Sequence, residues 1–521
     1  MPSTARTRSS SSASRWGSSS MPATSGSSMP NAAPSADARG WLRPAGAIVV
    51  AVTLARVALL AFNRTDLFVD EAQYWLWGQN LALGYYSKPP LIGWTIRAVT
   101  ELGGSDSPFW VRLAAPLFHG ATALILGAIA APRAGHRAAI WVSATWITLP
   151  MVSLGSLLIS TDTVMVPFLA LALLAWLKGL DVGGSHRWAA LAGVALGLAF
   201  LGKYAAIYYL LCAALAAALT WHARPGWGPA ITGLGLFLLT ISPNVAWNLG
   251  NGLSTLAHTL DNADWVRDPG TRAQLNLSGL AGFLAAQFAV FGPVLFAGLL
   301  VLAARPRQLA AEGRLLLLFS LPILVIVSAQ ALLSAAYANW AATAYVAGTL
   351  LVVPWLLERH VNWLRASLAL HLAIALLLPL LTILGTGLRA GPEGQLLLER
   401  YLGRREMTAE ILQAAAAAGL DTVVADDRDV LADLFYNRRD DTVAVFARPV
   451  NGRAPNHYVL KHSMPRDLAG PVLLVTRQDD QPNECTGETL GRIAPATGAY
   501  AERSQKLFRV EAQCLVGRSS P

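Results

Sequence analysis

The amino-acid sequence predicts an all-α polytopic membrane protein that ends in a small soluble α/β domain. Three observations lead to this fold class. The chain has 521 residues, of which 54% are hydrophobic and only 14% charged, and a soluble globular chain is rarely so apolar. Apolar runs of about 18 to 25 residues recur, each long enough to cross ~30 Å of hydrocarbon as a helix. From about residue 390 the composition becomes that of ordinary soluble sequence.

The N-terminal segment, residues 1–42, is predicted to be a disordered cytoplasmic tail. It is rich in Ser, Ala and Pro and has almost no large apolar side chains, so it cannot bury enough surface to fold. It lacks the contiguous apolar core of a signal peptide, and Met21 and Met29 are alternative starts. The first apolar run, near 45–62, shows no convincing cleavage site and is expected to remain as an anchor.

A transmembrane domain is predicted over residues 43–388. Window hydropathy gives about eleven helical spans there, separated by short polar turns. A transmembrane barrel would instead show alternating segments of about ten residues. The predicted spans lie at 45–62, 111–131, 138–157, 164–178, 187–201, 204–220, 228–243, 279–303, 315–333, 338–357 and 364–387.

The net charge of +9 indicates the orientation of the chain and not nucleic-acid binding, because Lys and Arg are scattered through short loops and tails. The positive-inside rule assigns the N-terminal tail and the most basic loops to the cytoplasm. The remaining loops, including 63–110, 160–163 and 244–278, then face the opposite compartment, and an odd number of spans places the C-terminus there too. We therefore expect a multi-pass membrane protein with its N-terminus in the cytoplasm and its C-terminus outside it.

Residues 389–521 are predicted to form an extracytoplasmic α/β domain. A helical pattern at 406–419 is followed by three short apolar runs typical of strands. Three cysteines exclude a disulfide-rich scaffold and offer no zinc-knuckle spacing. Outside the cytoplasm Cys485 and Cys514 could form a disulfide or remain as two thiols.

The first outer loop carries two adjacent carboxylates, Asp70 and Glu71, about eight residues after the first span. Their segment, "VDEAQYWLWGQNLAL", is predicted to form an interfacial helix whose aromatic residues lie at the headgroup level. The carboxylates would then point into the space between the spans. Alternatively, they only complement the positive end of that helix.

Three cations near the outer surface are candidates for binding a phosphate. Lys88 is held before Pro89 and Pro90, and an ammonium at the membrane surface suits a lipid phosphate. It could also bind headgroups without specificity, as a snorkelling lysine does. Arg112 opens the second span and Lys203 separates the fifth from the sixth, and both could neutralise phosphate or merely mark helix ends.

Asp162 lies in a very short outer turn between two spans, with hydroxyl residues on both sides. Thr161 or Asp162 is expected to cap the helix that begins at Thr163. A capping carboxylate can also take part in catalysis, so both interpretations remain open.

Amide, aromatic and histidine side chains in the outer loops suit contacts with a sugar or an acceptor. His258 could equally be an ordinary loop residue, since a metal site needs further ligands nearby. A divalent ion beside the carboxylates remains open, although no His or Cys cluster requires one. The candidate sugar or acceptor residues are Tyr85, Tyr86, Trp247, Asn248 and His258.

An ordered series of motifs resembles one family of membrane enzymes. The motifs are "DEAQYW…GYYSKPPL", "FWVRLAAPLFHG", "STDTVMVPFLALALLAW", "GLAFLGKYAAIYYL" and "PNVAWNLGNG". Over roughly residues 45–360 the chain resembles the GT-C membrane glycosyltransferases of the glycosyltransferase family 39 type. That family includes bacterial aminoarabinose lipid A transferase and the polyprenyl- or dolichyl-phosphate-mannose protein mannosyltransferases.

The resemblance implies an inverting glycosyltransferase that uses a polyprenyl-phosphate sugar at the outer face of the inner membrane. Its acceptor would be a hydroxyl of an envelope lipid, glycan or protein. The resemblance also implies that Asp70, with Glu71 beside it, is the base or orients the acceptor, and that Asp162 assists. It assigns the donor phosphate to Lys88, with Arg112 and Lys203 as basic positions nearby.

The residue chemistry agrees with this function. A polyprenyl phosphate is a good leaving group whose developing charge needs cations, and an attacking hydroxyl needs a carboxylate base. A transporter or flippase of lipid-linked sugars is the main alternative, but no repeat of halves is visible and the key charges lie in outer loops. A noncatalytic scaffold and an oligosaccharide polymerase or ligase are further alternatives.

Overall fold

The helices of the transmembrane region follow the apolar runs of the sequence. A computed structural model describes residues 40–262, 275–390, 394–438, 442–478 and 485–516. Almost all of the predicted disordered tail therefore lies outside the described residues. The helices that precede the C-terminal domain are α1 (Leu42–Leu60), α2 (Val69–Gln79), α3 (Leu91–Gly103), α4 (Pro108–Arg112), α5 (Ala114–Thr148), α6 (Pro150–Gly155), α7 (Thr161–Asp181), α8 (His186–Gly202), α9 (Tyr208–Leu219), α10 (Trp227–Gly250), α11 (Ser254–Asn262), α12 (Leu277–Val290), α13 (Pro293–Ala304), α14 (Ala311–Leu318), α15 (Leu321–Leu333), α16 (Ala344–Arg359) and α17 (Val361–Leu384).

The prediction of a polytopic helical membrane protein is confirmed, and every predicted span contains a helix. Six helical segments of the described chain are long and apolar enough to cross a bilayer, or seven if one bent pair counts as a span. By this criterion the described chain has fewer spans than the eleven that the sequence predicts. The shorter apolar segments include α8 and the helical stretch Tyr204–Leu219. The segments that pass alone are Leu42–Leu60, Pro108–Thr148, Thr161–Asp181, Trp227–Gly250, Ala311–Leu333 and Val361–Leu384.

Two glycines explain why window hydropathy and helix continuity differ. Gly135 interrupts α5 with a φ of 84°, a conformation that a side chain would strain, so α5 has two arms that match two predicted spans. Gly292, with a φ of 92°, separates α12 from α13, which are bent by 118°. The apolar run at 279–303, predicted as one span, therefore forms two helices. Window hydropathy does not detect the turn, because a single glycine changes the average of the window very little.

The C-terminal region is the small α/β domain that the sequence predicts. Its five-stranded sheet has the order β4 (Ala444–Ala447), β3 (Thr422–Ala425), β5 (Pro471–Thr476), β7 (Gln505–Glu511) and β6 (Glu488–Ile493). Strand β3 lies parallel to β4 and β5, and β7 lies antiparallel to β5 and β6. Cys485 and Cys514 form a disulfide that packs with one face of this sheet. The elements are β1 (Arg389–Ala390), β2 (Gln395–Leu396), α18 (Arg404–Ala417), β3 (Thr422–Ala425), α19 (Arg428–Asn437), β4 (Ala444–Ala447), α20 (His457–Lys461), β5 (Pro471–Thr476), β6 (Glu488–Ile493) and β7 (Gln505–Glu511).

The C-terminal domain shares one hydrophobic core with the first outer loop. Buried residues of α2 and α3, such as Trp77 and Ile92, belong to the same cluster as Ile411 of α18 and Leu431 of α19. At the edge of this contact the Trp75 ring meets the Tyr436 ring edge-on, with centroids 5.0 Å apart. The C-terminal domain, which the sequence predicts to begin at residue 389, therefore packs directly against the loop that carries Asp70 and Lys88.

Candidate active site

A large cavity lies where the outer ends of the transmembrane helices, the first outer loop and the C-terminal domain meet. Its volume is about 1590 Å³. The outer loops and helix ends contribute Asp70, Gln73, Tyr86, Lys88, Asp162, Lys203, His258 and Asn339 to its wall. The C-terminal domain contributes Arg400, Arg404, Arg428, Asp429, Asn456 and Arg503. The cavity therefore brings together charged groups from distant parts of the chain.

Lys88 projects into this cavity from a well-anchored turn. The backbone N–H of Tyr85 donates to the Lys88 carbonyl over 3.2 Å, and the Thr255 hydroxyl donates to the Tyr85 carbonyl over 2.7 Å. Pro89 and Pro90 are buried, and α3 begins directly after them. The turn is therefore fixed by backbone contacts that leave the lysine side chain free to face the cavity.

The Lys88 ammonium has no hydrogen bond or ion pair within the described parts of the chain. Burial lowers the pKa of Lys88 below its usual value, and the charge of Lys203 lowers it further. Asp70 and Asp162 oppose this shift, while Arg428 adds to it. A partly buried cation among other cations is a group prepared to bind an anion.

Asp162 is held in a network of three hydrogen bonds. The Lys203 ammonium donates to both carboxylate oxygens over 2.7 Å, and the Asn339 amide donates to Oδ2 over 2.7 Å. Helix α7 begins at Thr161 and its N-cap is Ser160, whose hydroxyl accepts from the Thr163 N–H over 3.3 Å. The expectation that Thr161 or Asp162 caps this helix is wrong, so capping does not occupy the Asp162 carboxylate.

Asp70 faces the cavity and pairs with a residue of the C-terminal domain. Arg428 Nη2 donates to Asp70 Oδ1 over 2.6 Å, and Arg428 Nε donates to Gln73 Oε1 over 3.0 Å. The Asp70 and Arg428 side chains are 46% and 37% exposed, so both remain accessible from the cavity.

Glu71 and Arg112 meet each other away from the cavity wall. Arg112 donates to both Glu71 oxygens over 2.9 and 2.7 Å, and the side chains are only 2% and 1% exposed. Glu71 also accepts from the Phe68 and Ile159 backbone N–H groups over 3.0 and 2.9 Å. Every oxygen of this carboxylate is engaged inside the protein, so the positions do not support the predicted catalytic role of Glu71 or phosphate binding by Arg112. We propose instead that the pair closes the first outer loop on itself, while the Ile159 N–H joins Glu71 to the second outer turn.

The predicted sugar residues separate into two groups. Tyr86 and His258 line the cavity with ring centroids 5.2 Å apart. Burial and then the charges of Lys88 and Arg428 lower the pKa of His258 to about 4, which keeps this ring neutral. A neutral imidazole beside a phenol suits hydrogen bonds to sugar hydroxyls.

Tyr85, Trp247 and Asn248 do not line the cavity. Tyr85 and Trp247 support the turn that carries Lys88, and Asn248 is bonded to its neighbours Asn244 and Tyr204. The Tyr85 ring stacks on Trp77 at 4.7 Å, and its hydroxyl donates to the Trp77 carbonyl over 2.7 Å. The Trp247 ring packs so closely on Gly84 that a Cβ there would collide with it. Asn248 is buried and donates to the Asn244 carbonyl over 3.0 Å. Their positions indicate a structural contribution.

Several residues that line the cavity are not predicted by the sequence. Arg428 lies 358 positions from Asp70, and nothing in its local sequence marks it. Asn339 carries a weak signal, since "YANWAATAY" places it at the outer end of a predicted span where an aromatic belt explains the pattern equally well.

Within the described chain no group of three or more His, Cys, Asp or Glu could hold a metal ion. Because Asp70 and Asp162 each face a cation, these carboxylates do not fit a divalent ion.

Comparison with known proteins agrees with this architecture. Residues 87–247 match the model of the dolichyl-phosphate-mannose-protein mannosyltransferase family. The lipid A galacturonosyltransferase RgtD of Rhizobium johnstonii is 41% identical over 476 residues, which cover 90% of this chain and 98% of that protein. This chain belongs to the same family of membrane glycosyltransferases. The prediction of a glycosyltransferase is confirmed, and the transporter alternative is not supported.

Solved structures show the GT-C fold of this membrane glycosyltransferase. ArnT from Cupriavidus metallidurans bound to undecaprenyl phosphate aligns with a TM-score of 0.61 at 14% identity, covering 92% of this chain and all of that one. The same protein in the apo state aligns with a TM-score of 0.56 at 14% identity, covering 93% of this chain and all of that one. The predicted fold class is therefore confirmed over the transmembrane and C-terminal regions together.

Proposed function

We propose that this enzyme transfers a galacturonic acid unit from a polyprenyl-phosphate carrier to a lipid A hydroxyl, at the outer face of the inner membrane. The observation that carries the proposal is the arrangement of Lys88, Asp70 and Asp162 around one cavity, where no anion of the described residues is bonded to the Lys88 ammonium. The sugar and acceptor follow the name of RgtD, and the carrier follows the undecaprenyl phosphate bound to ArnT.

The reaction breaks the bond between the anomeric carbon and the phosphate oxygen. The leaving polyprenyl phosphate keeps the electron pair, and the acceptor oxygen forms the new bond on the opposite face of the sugar, which inverts the anomeric carbon. The proton of the acceptor hydroxyl passes to a carboxylate of the enzyme. The leaving phosphate gains charge in the transition state and so needs fixed cations more than it needs an acid.

The contacts support a separate role for each carboxylate. Asp70 is half exposed to the cavity, and no neighbour occupies its second oxygen in the described chain, so we assign it as the base for the acceptor hydroxyl. Asp162 already accepts three hydrogen bonds, and it holds Lys203 in place near Lys88. Lys88 and Lys203 then bind the phosphate together.

Several features support an extracytoplasmic site. The disulfide between Cys485 and Cys514 is typical of proteins in an oxidising compartment. The short segments 133–137, 178–187 and 305–314 each carry two or three Lys or Arg residues, and the positive-inside rule assigns such short basic loops to the cytoplasm, opposite the site. The apolar side chains of Ile326 and Leu333, on α15, extend the cavity wall toward the membrane and suit a polyprenyl chain.

The test is a transfer assay with the full-length enzyme in phospholipid vesicles. Polyprenyl-phosphate galacturonic acid and lipid A are supplied, and the product is read by mass spectrometry. We expect lipid A to gain one uronic acid unit, and Asp70→Asn to abolish this gain while the protein still inserts and accumulates. No gain of mass, under conditions in which RgtD itself produces one, would overturn the proposal.

A further inference from the structure

Arg428 brings a cation from the C-terminal domain into the cavity. It is the first residue of α19, and Asp427 caps this helix by accepting from the Asp429 N–H over 2.8 Å. The cap fixes the backbone from which the guanidinium reaches Asp70 and Gln73 on α2. The contact is therefore set by two rigid helices that belong to one hydrophobic core.

The guanidinium retains capacity to bind a ligand. An arginine side chain has five N–H donors in a planar fork. The described contacts use two of them, one to Asp70 and one to Gln73. The side chain is 37% exposed on the cavity, so the remaining donors can reach a bound molecule. The fork matches the planar geometry of a carboxylate.

The charges of the cavity favour a second anion beside the donor phosphate. Lys88 and Lys203 account for the phosphate, whereas Arg428 faces the same space from the opposite domain. When Asp70 takes the proton of the acceptor hydroxyl it becomes neutral, and Arg428 then loses its nearest counter-charge. A carboxylate on the transferred sugar would supply the missing negative charge at this point of the reaction.

We propose that Arg428 recognises the carboxylate of a uronic acid on the donor and thereby selects acidic sugars over neutral ones. The inference rests on the proposed function and deepens it by assigning the residue that reads the sugar. An anionic group of the acceptor, such as a lipid A phosphate, shares this chemistry. The donor remains the better source, because Arg428 bonds to Asp70, the base next to the anomeric carbon.

The experiment compares two donors that differ only in the sugar carboxylate, polyprenyl-phosphate galacturonic acid and polyprenyl-phosphate galactose. The wild-type enzyme is expected to prefer the acidic donor by about 100-fold in kcat/KM, because the neutral sugar leaves the donors of Arg428 without the carboxylate that they bind. In Arg428→Gln both donors should react more slowly because Asp70 loses its ion-pair partner, but the acidic donor should lose far more, so that the preference falls to a few-fold. Arg428→Lys keeps the positive charge but lacks the planar guanidinium. Its preference for the acidic donor is expected to be about 10-fold lower than that of the wild-type enzyme. If Arg428→Gln does not accumulate, the donor preference of Arg428→Lys tests the inference instead.

Arg453→Gln is the matched control. Arg453 also belongs to the C-terminal domain and pairs with an outer helix, through Asp261 at 2.9 Å, but it does not line the cavity. This variant should keep the wild-type donor preference. An equal fall for both donors in Arg428→Gln would overturn the inference and indicate a structural role.

A further arm uses lipid A without phosphate groups as acceptor. The donor preference should persist with it in the wild-type enzyme. If the effect of Arg428→Gln disappears with this acceptor, Arg428 binds the acceptor phosphate and the inference is overturned. A wild-type enzyme that transfers neither sugar would instead remove the proposed function, and the inference with it.

Discussion

Lys203 donates to both carboxylate oxygens of Asp162 over 2.7 Å, although the two residues come from different outer turns 41 positions apart. Asn339 joins the same carboxylate from a third segment. Both charged side chains are only 17% exposed, so their attraction is weakly screened by water. The pair therefore fixes a cation at the cavity wall close to Lys88.

Asp162→Asn is expected to lower kcat by about 100-fold or more, because it releases Lys203 from its position for the leaving phosphate. The protein should still insert, since the helix cap is made by Ser160 and not by Asp162. Steady-state transfer rates in vesicles check this expectation.

Asp181→Asn is the matched control for that variant. Asp181 ends the same helix at the opposite membrane surface and pairs with Arg133 at 2.8 Å. Its loss should change kcat by less than about 2-fold, since this pair does not line the cavity and Arg133 keeps its second partner, Glu312. Equal losses in the two variants would contradict a role for Asp162 in the site.

The lowered pKa of Lys88 predicts a characteristic alkaline limit of activity. Burial and neighbouring cations favour the neutral amine, so Lys88 loses its proton at a lower pH than an ordinary lysine does. Donor binding needs the charged form. The kcat/KM for donor should therefore fall as pH rises, starting below the usual lysine range.

Lys88→Arg removes this alkaline limit, because a guanidinium stays charged over the same pH range. Lys88→Ala should lower kcat/KM by about 100-fold at every pH. Profiles of kcat/KM against pH for the three proteins provide the measurement. An identical alkaline limb in wild type and Lys88→Arg would show that another group titrates.

The buried pair of Glu71 and Arg112 is predicted to determine stability and not chemistry. Arg112→Ala leaves an ionised carboxylate without a partner in the protein interior, which costs about 3–5 kcal/mol of unfolding free energy. The full-length protein in detergent should melt at a clearly lower temperature. Arg97→Ala, which breaks an exposed pair with Glu101 on α3, should cost less than about 1 kcal/mol. A variant at Arg112 that melts normally but transfers no sugar would restore the phosphate-binding interpretation.

The sequence predicts those site residues whose positions depend mainly on their neighbours in the chain. Lys88 is positioned by its own neighbours, Pro89 and Pro90, and the short turn at Asp162 follows directly from the apolar runs on both sides. Both residues line the cavity. These features require no knowledge of how distant segments pack.

Contacts between distant segments explain what the sequence did not reveal. Asp70 and Glu71 are adjacent in sequence, but residues one step apart on a helix point about 100° apart, so one faces the cavity and the other the interior. Which of them faces the cavity depends on where Arg112 and Arg428 arrive, and the latter lies 358 positions away. The seating of the C-terminal domain on α2 likewise follows from tertiary packing and not from a motif.

The disulfide of the C-terminal domain gives a test of orientation in intact cells. If this domain lies outside the cytoplasm, Cys485 and Cys514 are oxidised and should resist a membrane-impermeant thiol reagent until a mild reductant is added. After reduction two thiols per chain should react, as counted by mass spectrometry. Cys212, which is buried in α9, provides the internal control and should stay unlabelled throughout. Labelling of Cys485 or Cys514 only after the cells are permeabilised would place the domain in the cytoplasm and reverse the proposed orientation, because an impermeant reagent reaches cytoplasmic thiols by no other route.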